Sequence, residues 1–380
     1  MKIVIAPDSF KGSNSSIMVA NRIEKGIRQV FPDAEVIKIP IADGGEGTVE
    51  ALVAGAGGEI FKATVTGPMG ETREAEYGIL ANGKAAIEMA ASSGLPLVAE
   101  DMRNPLKATT YGVGQLIKAV IEKGCKEIVL GLGGSATNDG GIGMAQALGV
   151  SFKDKDGSEL GFGGGELDKL ASVDVSGLDP RIKDISIVIA SDVNSPLCGE
   201  KGASAIFGPQ KGADPEMVKL LDSNLAHYAD VVKKQLGIDN LNAPGAGAAG
   251  GLGYALITFM GAAMNSGIET MLDSVGVDKY LVDCDLVITG EGKIDGQSAF
   301  GKVPVGVAQR VKKFGIPVLA IVGDIGDGAE NVYEYGIDSI MSTVNKAMPL
   351  SEAIGRSGEL LEEAAVRAMR MIKIGYSIKK

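Results

Sequence analysis

Residues 1–48, MKIVIAPDSFKGSNSSIMVANRIEKGIRQVFPDAEVIKIPIADGGEGT, decide the fold class. Lys2–Ala6 is a short apolar run without alternation, as expected of a strand buried on both faces. Ile17, Ala20, Ile23, Ile27 and Val30 then recur at spacings of three and four, which gives a helix one apolar face. Glu35–Ile41 predicts a second strand, and a Gly-rich turn leads into a helix expected from Glu46 to about Ala54. This β–α–β–α order opens a doubly wound parallel sheet.

Beyond it the rhythm changes and then returns. Glu59–Thr66, Glu71–Ala81 and Lys84–Met89 predict strands joined by tight turns, a mixed or antiparallel sheet. A helix over Tyr111–Lys123, a strand over Glu127–Leu132, a helix over Ile142–Leu148 and a strand over Ser186–Ser191 follow. Asp214, Pro215 and Gly237 bracket a helix, with Met217, Leu221, Leu225, Tyr228 and Val232 at helical spacing. From residue 282 the β/α alternation resumes with Asp285–Thr289, Val303–Phe314, Pro317–Val322, Ser339–Met341 and Ser351–Lys373. The fold class expected is α/β. Residues 1–58 and 281–380 form a doubly wound domain from both termini, and 59–280 form an inserted mixed α/β domain. An active site is expected in the cleft between the two.

Composition narrows the function. The chain has 380 residues, long enough for two domains. Its net charge of −11, without a basic run, excludes non-specific binding to nucleic acid or anionic membranes. No apolar run reaches the ~20 residues that span a bilayer. Cys125, Cys198 and Cys284 are widely separated and form no CxxC pair, so neither a zinc site nor a disulfide framework is indicated. A cytoplasmic protein is expected; its oligomeric state is not written in the sequence. The lone histidine, His227, sits inside the Asp214–Leu236 helix, so acid–base chemistry falls to carboxylates, lysines or the substrate's own groups.

Glycine, at 55 residues, is present at about twice the usual ~7%. Much of it lies in loops that follow predicted strands: Ala6–Ser13 (APDSFKGS), Ile41–Thr48 (IADGGEGT), Gly131–Gly141 (GLGGSATNDGG), Ile189–Asn194 (IASDVN) and Ile288–Ser298 (ITGEGKIDGQS). Strand carboxyl ends are where ligands bind in open α/β sheets, and a Gly-rich loop entering a helix offers backbone N–H groups to an anion. Any one of these loops is equally a tight turn with an Asp or Ser cap; three strand-to-helix loops of this kind argue for a shared anion site. Carboxylates would weaken a passive anion site, but they suit one where Mg²⁺ is shared between acid and phosphate. That combination predicts phosphoryl transfer. Gly245–Gly250 (GAGAAG) satisfies a dinucleotide fingerprint, but Asn240–Pro244 before it is no strand, so the required βαβ setting fails. A glycine-rich helix start that packs closely is the better reading. No Walker A sequence is present.

At these loops the sequence resembles the bacterial glycerate kinase family, the two-domain glycerate 2-kinase type. The resemblance runs through APDSFKGS (6–13), PIADGGEGT (40–48), EMAASSGL (88–95), NPLKATTYGVG (104–114), LGGSATNDGG (132–141), IFGPQKGA (206–213), PGAGAAGGLG (244–253) and VITGEGKIDGQS (287–298). Ser191–Pro196 departs from the more usual family form while keeping Asp192 and Pro196. The resemblance implies a flavodoxin-like domain plus a second α/β domain. It implies phosphorylation of D-glycerate by ATP with Mg²⁺, giving 2-phosphoglycerate for glyoxylate and glucarate breakdown.

Within that frame, Asp192 and Asp8 are candidates to accept the hydroxyl proton, and Lys11, with them, is assigned to catalysis. Ser9, Lys11, Ser13 and Lys211 are candidates for the substrate carboxylate. Gly44, Gly45, Gly133, Gly134, Ser135, Asn138, Gly290, Gly292 and Lys293 would cradle phosphates, and Asp43, Glu291 and Asp295 would hold the metal. The alternatives are a kinase acting on the 3-hydroxyl or on a related small hydroxy acid, and a non-catalytic phosphometabolite-binding protein.

Overall fold

A computed structural model describes residues 1–299 and 302–378. The chain divides into two units: Met1–Asp43, Glu50–Gly57 and the residues from Ile268 onward make the first, and Gly44–Val49 with Gly58–Gly267 the second. Both are α/β. No helix among the described residues is long and apolar enough to cross a membrane.

The first unit is built on a five-stranded, wholly parallel sheet in the order Ser339–Ser342, Val318–Val322, Leu286–Thr289, Lys2–Ile5, Glu35–Lys38. Counted along this unit the order is 2-1-3-4-5, the flavodoxin-like arrangement. On one face Ile3, Ile5, Ile288 and Ile321 are buried with Val19, Ala20, Ile23 and Ile27 of the helix Ser16–Val30 and Leu361, Ala364 and Met369 of the helix Ser357–Ile378. The helix Val303–Lys312 packs against Leu286–Thr289 and Val318–Val322. Strands buried in this way have no polar face, which is why Lys2–Ala6 shows no alternation.

Three details differ from the sequence reading, the first being that Gly44–Val49, expected in the terminal domain, lies with the second unit. The helix expected over Ser351–Lys373 is two, Leu350–Gly355 and Ser357–Ile378. The break falls at Arg356 (φ −107°, ψ 9°), between the poor helix formers Gly355 and Ser357. Arg356 bridges it by pairing with Glu352 and Glu359. Residues 268–280 belong with the terminal strands, not with the insert. Ile268 packs on Gly306, and Arg310 reaches Glu269 (3.0 Å), Asp273 (2.8 Å) and Asp278 (2.7 Å).

The second unit carries a six-stranded mixed sheet, Ala263–Asn265, Ser186–Ala190, Glu127–Gly131, Ala85–Glu88, Thr72–Leu80, Gly58–Thr66. The first four strands are parallel and the last three pair antiparallel. Glu88, Gly131, Ala190 and Asn265 therefore end their strands at one edge. The helix Pro215–Leu236 starts where Asp214 accepts from the N–H groups of Glu216 and Met217, and stops at Gly237 (φ 72°). His227 contacts the Leu170 carbonyl at 2.8 Å and ties this helix to the strand Leu170–Asp174. The helix Ala248–Met260 begins with Ala249, Gly250 and Gly251 at positive φ, and Gly250 sits where a Cβ would lie 2.0 Å from the Thr137 carbonyl oxygen. The 245–250 glycines thus serve close packing.

The helix pair of the first unit gives a direct test. A Cβ on Gly26 would lie 2.5 Å from the Glu362 carbonyl oxygen and 2.6 Å from the Ala365 Cβ. Gly26→Val is therefore expected to destabilise by about 1–3 kcal/mol through overpacking. Denaturant unfolding reads this as a lower midpoint at unchanged slope; an unaltered midpoint would refute so close an approach.

Candidate functional site

In the first unit the strand order reverses between Lys2–Ile5 and Leu286–Thr289, so the loops after them open the crevice where this topology binds ligands. Backbone bonds lace the loops together. Ala6 N–H donates to the Ile288 carbonyl (2.7 Å) and Asp8 N–H to that of Gly290 (2.8 Å). The N–H groups of Gly323 and Asp324 donate to the carbonyls of Glu291 (3.1 Å) and Gly292 (3.0 Å). A Cβ at Gly290 would fall 2.0 Å from the Ile321 carbonyl oxygen, so only glycine lets the chain pass there.

These loops gather charge. The Asp8 carboxyl is pushed up to about 7, first by burial and then by the neighbouring Asp43 charge; Ser9 N–H (2.7 Å) and Lys11 oppose the shift. The exposed Lys11 ammonium lies 3.2 Å from Asp43 Oδ2, and that charge raises it above the usual lysine value. Burial pushes the Glu291 carboxyl upward against the Ser298 hydroxyl, which donates at 2.7 Å, and the Lys302 ammonium. Lys302 stands 3.7 Å from both Glu291 and Asp295.

In the second unit the carboxyl edge of the parallel strands is occupied by backbone. Gly133 N–H donates to the Gly44 carbonyl (3.1 Å), and a Cβ on Gly44 would lie 2.4 Å from the Ala190 carbonyl oxygen. Glu88 accepts from Val49 N–H (2.6 Å) and Gly47 N–H (3.3 Å), at the start of the helix Thr48–Ala56. Asp192 is exposed, and its Oδ1 accepts from Gly267 N–H at 3.0 Å. Asp139 is fully buried and receives Thr110 N–H and Oγ1–H (both 2.8 Å) and Gly141 N–H (3.1 Å); burial raises its carboxyl.

The expected site residues thus fall into two groups. Asp8, Ser9, Lys11, Asp43, Gly290, Glu291, Gly292, Lys293 and Asp295 lie at the switch point of the first unit. Gly44, Gly45, Gly133, Gly134, Ser135, Asn138 and Asp192 lie at the strand edge of the second. Two residues differ from expectation. The Ser13 hydroxyl bonds to Ser357, with Asn14 donating to the same oxygen. Lys211, expected to meet a bound carboxylate, is 1% exposed and donates to the Thr137 carbonyl at 2.6 Å. Burial lowers its ammonium to about 7, against the favourable charge of Asp139.

Among the described residues, no three His, Cys, Asp or Glu side chains are arranged to hold a metal together. Hard carboxylate oxygens in ones and twos still suit Mg²⁺, which takes the rest of its shell from phosphate and water. Lys302, Ser298 and Glu88 were missed. Glu88 ends a parallel strand as Asp192 follows one, a signal that could have found it; Lys302 has no comparable mark.

The glycerate kinase family profile matches residues 3–373. Glycerate 2-kinase of Escherichia coli K12 is 53% identical over 93% of this chain and 93% of its own. Glycerate kinase of Bacillus subtilis 168 is 49% identical over 100% and 99%. A solved structure from Salmonella typhimurium LT2, assigned to glycerate kinase 2, superposes with a TM-score of 0.90 at 46% identity over 99% of each chain.

The Asp8 environment predicts a pH dependence of stability. With a folded value of about 7 against 3.8 for a free carboxyl, folded Asp8 keeps a proton that the unfolded chain releases between those values. Its contribution to stability therefore falls as pH rises from 4 to 7. Asp8→Asn in metal-free buffer is expected to gain on the parent by at least ~1 kcal/mol at pH 8, with little difference at pH 4. A gap that does not vary with pH would contradict this environment.

Proposed function

The chain belongs to the glycerate kinase family, and we propose that it transfers the γ-phosphoryl group of ATP to the 2-hydroxyl of D-glycerate, giving 2-phosphoglycerate and ADP. The observation that carries the chemistry is the group Asp8, Lys11, Asp43 and Glu291 at the switch point of the parallel sheet. A carboxyl held near 7 beside a lysine suits a small anion that must lose a hydroxyl proton at neutral pH.

The roles follow from charge and position. The Lys11 ammonium, with the N–H groups of Lys11 and Gly12, holds the glycerate carboxylate, which orients the C2 hydroxyl toward the phosphorus; the other N–H groups of the 9–13 loop are spent on Asp8, Asn14 and Phe10. The hydroxyl has a high pKa and the transition state is loose, so its proton leaves late, to Asp8 or Asp192. Positioning and charge neutralisation contribute more than base strength. In the second unit the Gly133–Asn138 loop offers the amides of Gly134 and Ser135 to a phosphate, and in the first unit the backbone of Gly290–Lys293 does the same; such N–H donors strengthen as charge moves onto the departing oxygen. When bound, Mg²⁺ would neutralise phosphate charge; Asp43, Glu291 and Asp295 offer the hard oxygens to hold it, one or two at a time. Lys302 supports Glu291 and Asp295 as charged groups.

The test is incubation with ATP, Mg²⁺ and D-glycerate, coupled through enolase with phosphoglycerate mutase left out. A signal means 2-phosphoglycerate; ADP without signal assigns the 3-hydroxyl, and no glycerate-dependent ADP removes the kinase reading. Asp43→Asn and Asp192→Asn are each expected to cut turnover by two or more orders of magnitude, ~10²-fold upward, with cooperative unfolding retained. Near-normal turnover in both would sink these assignments. Lys11→Ala should raise KM for glycerate more than it lowers kcat, and an unchanged KM would free Lys11 of that role.

A further inference from the structure

Lys211 is out of keeping with its surroundings. It closes the helical turn Pro209–Lys211, which Gly212 (φ 92°) fixes against the chain, a Cβ there falling 2.7 Å from the Arg103 carbonyl oxygen. A lysine ordinarily keeps its ammonium in water while the stem packs. This one is buried to its tip, where a charge is strongly disfavoured unless it is paired and hydrogen-bonded. Its acceptor is a main-chain carbonyl, that of Thr137, and Asp139 supplies the facing charge. Methionine would fill a comparable volume without the desolvation cost, so packing alone does not account for the lysine.

The bond falls where the glycine loop changes character. From Thr137 onward the loop is clamped. Lys211 holds the Thr137 carbonyl, the Thr137 hydroxyl reaches the Ala249 carbonyl (3.4 Å), and Asn138 Nδ2 donates to Ser204 Oγ (3.0 Å). Asp139 then ties the loop to the start of the helix Tyr111–Glu122 through Thr110. Ahead of Thr137 the loop opens. Gly134 is exposed, and among the described residues neither its N–H nor that of Ser135 is used in a hydrogen bond, while Gly133 and Ala136 donate to the carbonyls of Gly44 and Ser93. A rigid inner half behind two free amides is what a preorganised anion cradle requires.

We propose that Lys211 is a positioning residue for phosphoryl transfer, its buried ammonium holding the Thr137 carbonyl so that the Gly134 and Ser135 amides stay set for a phosphate. This rests on the Gly133–Asn138 loop being the phosphate cradle, and it moves Lys211 from the substrate to the support of that loop.

The experiment is steady-state kinetics of the full chain as Lys211→Met, with ATP and glycerate varied in turn, alongside thermal unfolding. Lys211→Met is expected to lower kcat/KM for ATP by about ten- to a hundredfold, in the range of lost supporting contacts. KM for glycerate should stay within about twofold, while the melting temperature should fall, because the variant leaves the Thr137 carbonyl unpaired and the buried Asp139 without its facing charge. Lys211→Gln, which keeps an N–H donor without charge, should recover part of the loss, and it decides the matter if the methionine variant does not fold. An ATP kcat/KM within twofold of the parent, or equal losses for both substrates, overturns the role. Gly134→Val separates the two readings, since Gly134 has φ 73° and a side chain there would strain the loop. If Gly134→Val harms ATP use and Lys211→Met does not, only the positioning role falls. If Gly134→Val leaves ATP use intact, the cradle falls and this inference with it.

Discussion

Everything in the first unit depends on one constraint of parallel sheets: where the strand order reverses, successive crossovers leave to opposite faces and cannot close over the strand ends between them. The reversal falls between Lys2–Ile5 and Leu286–Thr289, strands 283 residues apart in chain register at Ile3 and Leu286 yet directly paired. Its loops are left open to ligand while their backbones are bonded to each other, Asp8 to Gly290 and Asp324 to Gly292. The chemistry-bearing side chains are thereby placed by main-chain geometry, and a residue such as Gly290 contributes through what it lacks.

Placing carboxylates together on such loops is electrostatically unfavourable, and the structure meets the cost locally. Asp43 is matched by Lys11, and Glu291 and Asp295 by Lys302. Among the described residues Asp8 has no ion-pair partner as close, and its carboxyl rises to about 7 under burial and the Asp43 charge. The same arrangement that destabilises the charged form leaves one group able to exchange a proton near neutrality. The net charge of −11 does not exclude an anionic substrate, because amides and lysines act at short range while distant surface charges are screened.

The architecture was legible because it rests on periodicity and on helix stop signals. The apolar run of Lys2–Ala6, the three-and-four spacing from Ile17 to Val30, and the Asp214–Pro215–Gly237 frame are local statements, and the structure realises them. What escaped reading was decided by contacts distant in sequence. Ala263–Asn265 is too short to have a pattern and becomes a strand by pairing with Val188–Ala190. Residues 268–280 join the first unit because Arg310 gathers Glu269, Asp273 and Asp278 around one guanidinium. In the site, the glycine loops were legible as loops, since glycine marks both tight turns and close approach. The partners of their side chains were not.

Lys211 and His227 show why residue type alone stops short. Both are titratable, both lie in readable elements, and both spend their polar atom on a carbonyl, Lys211 on Thr137 and His227 on Leu170. For His227, a part-buried ring joining a helix to a strand is a sufficient account of the contact. For Lys211 it is not, because a fully buried ammonium needs a reason that a neutral donor does not. The difference lies in what the carbonyl belongs to: Leu170 begins an ordinary strand, whereas Thr137 ends the open half of a glycine loop. A lysine in a loop therefore argues for ligand contact only once its ammonium is known to face outward; when it faces inward, its effect passes through the backbone it holds.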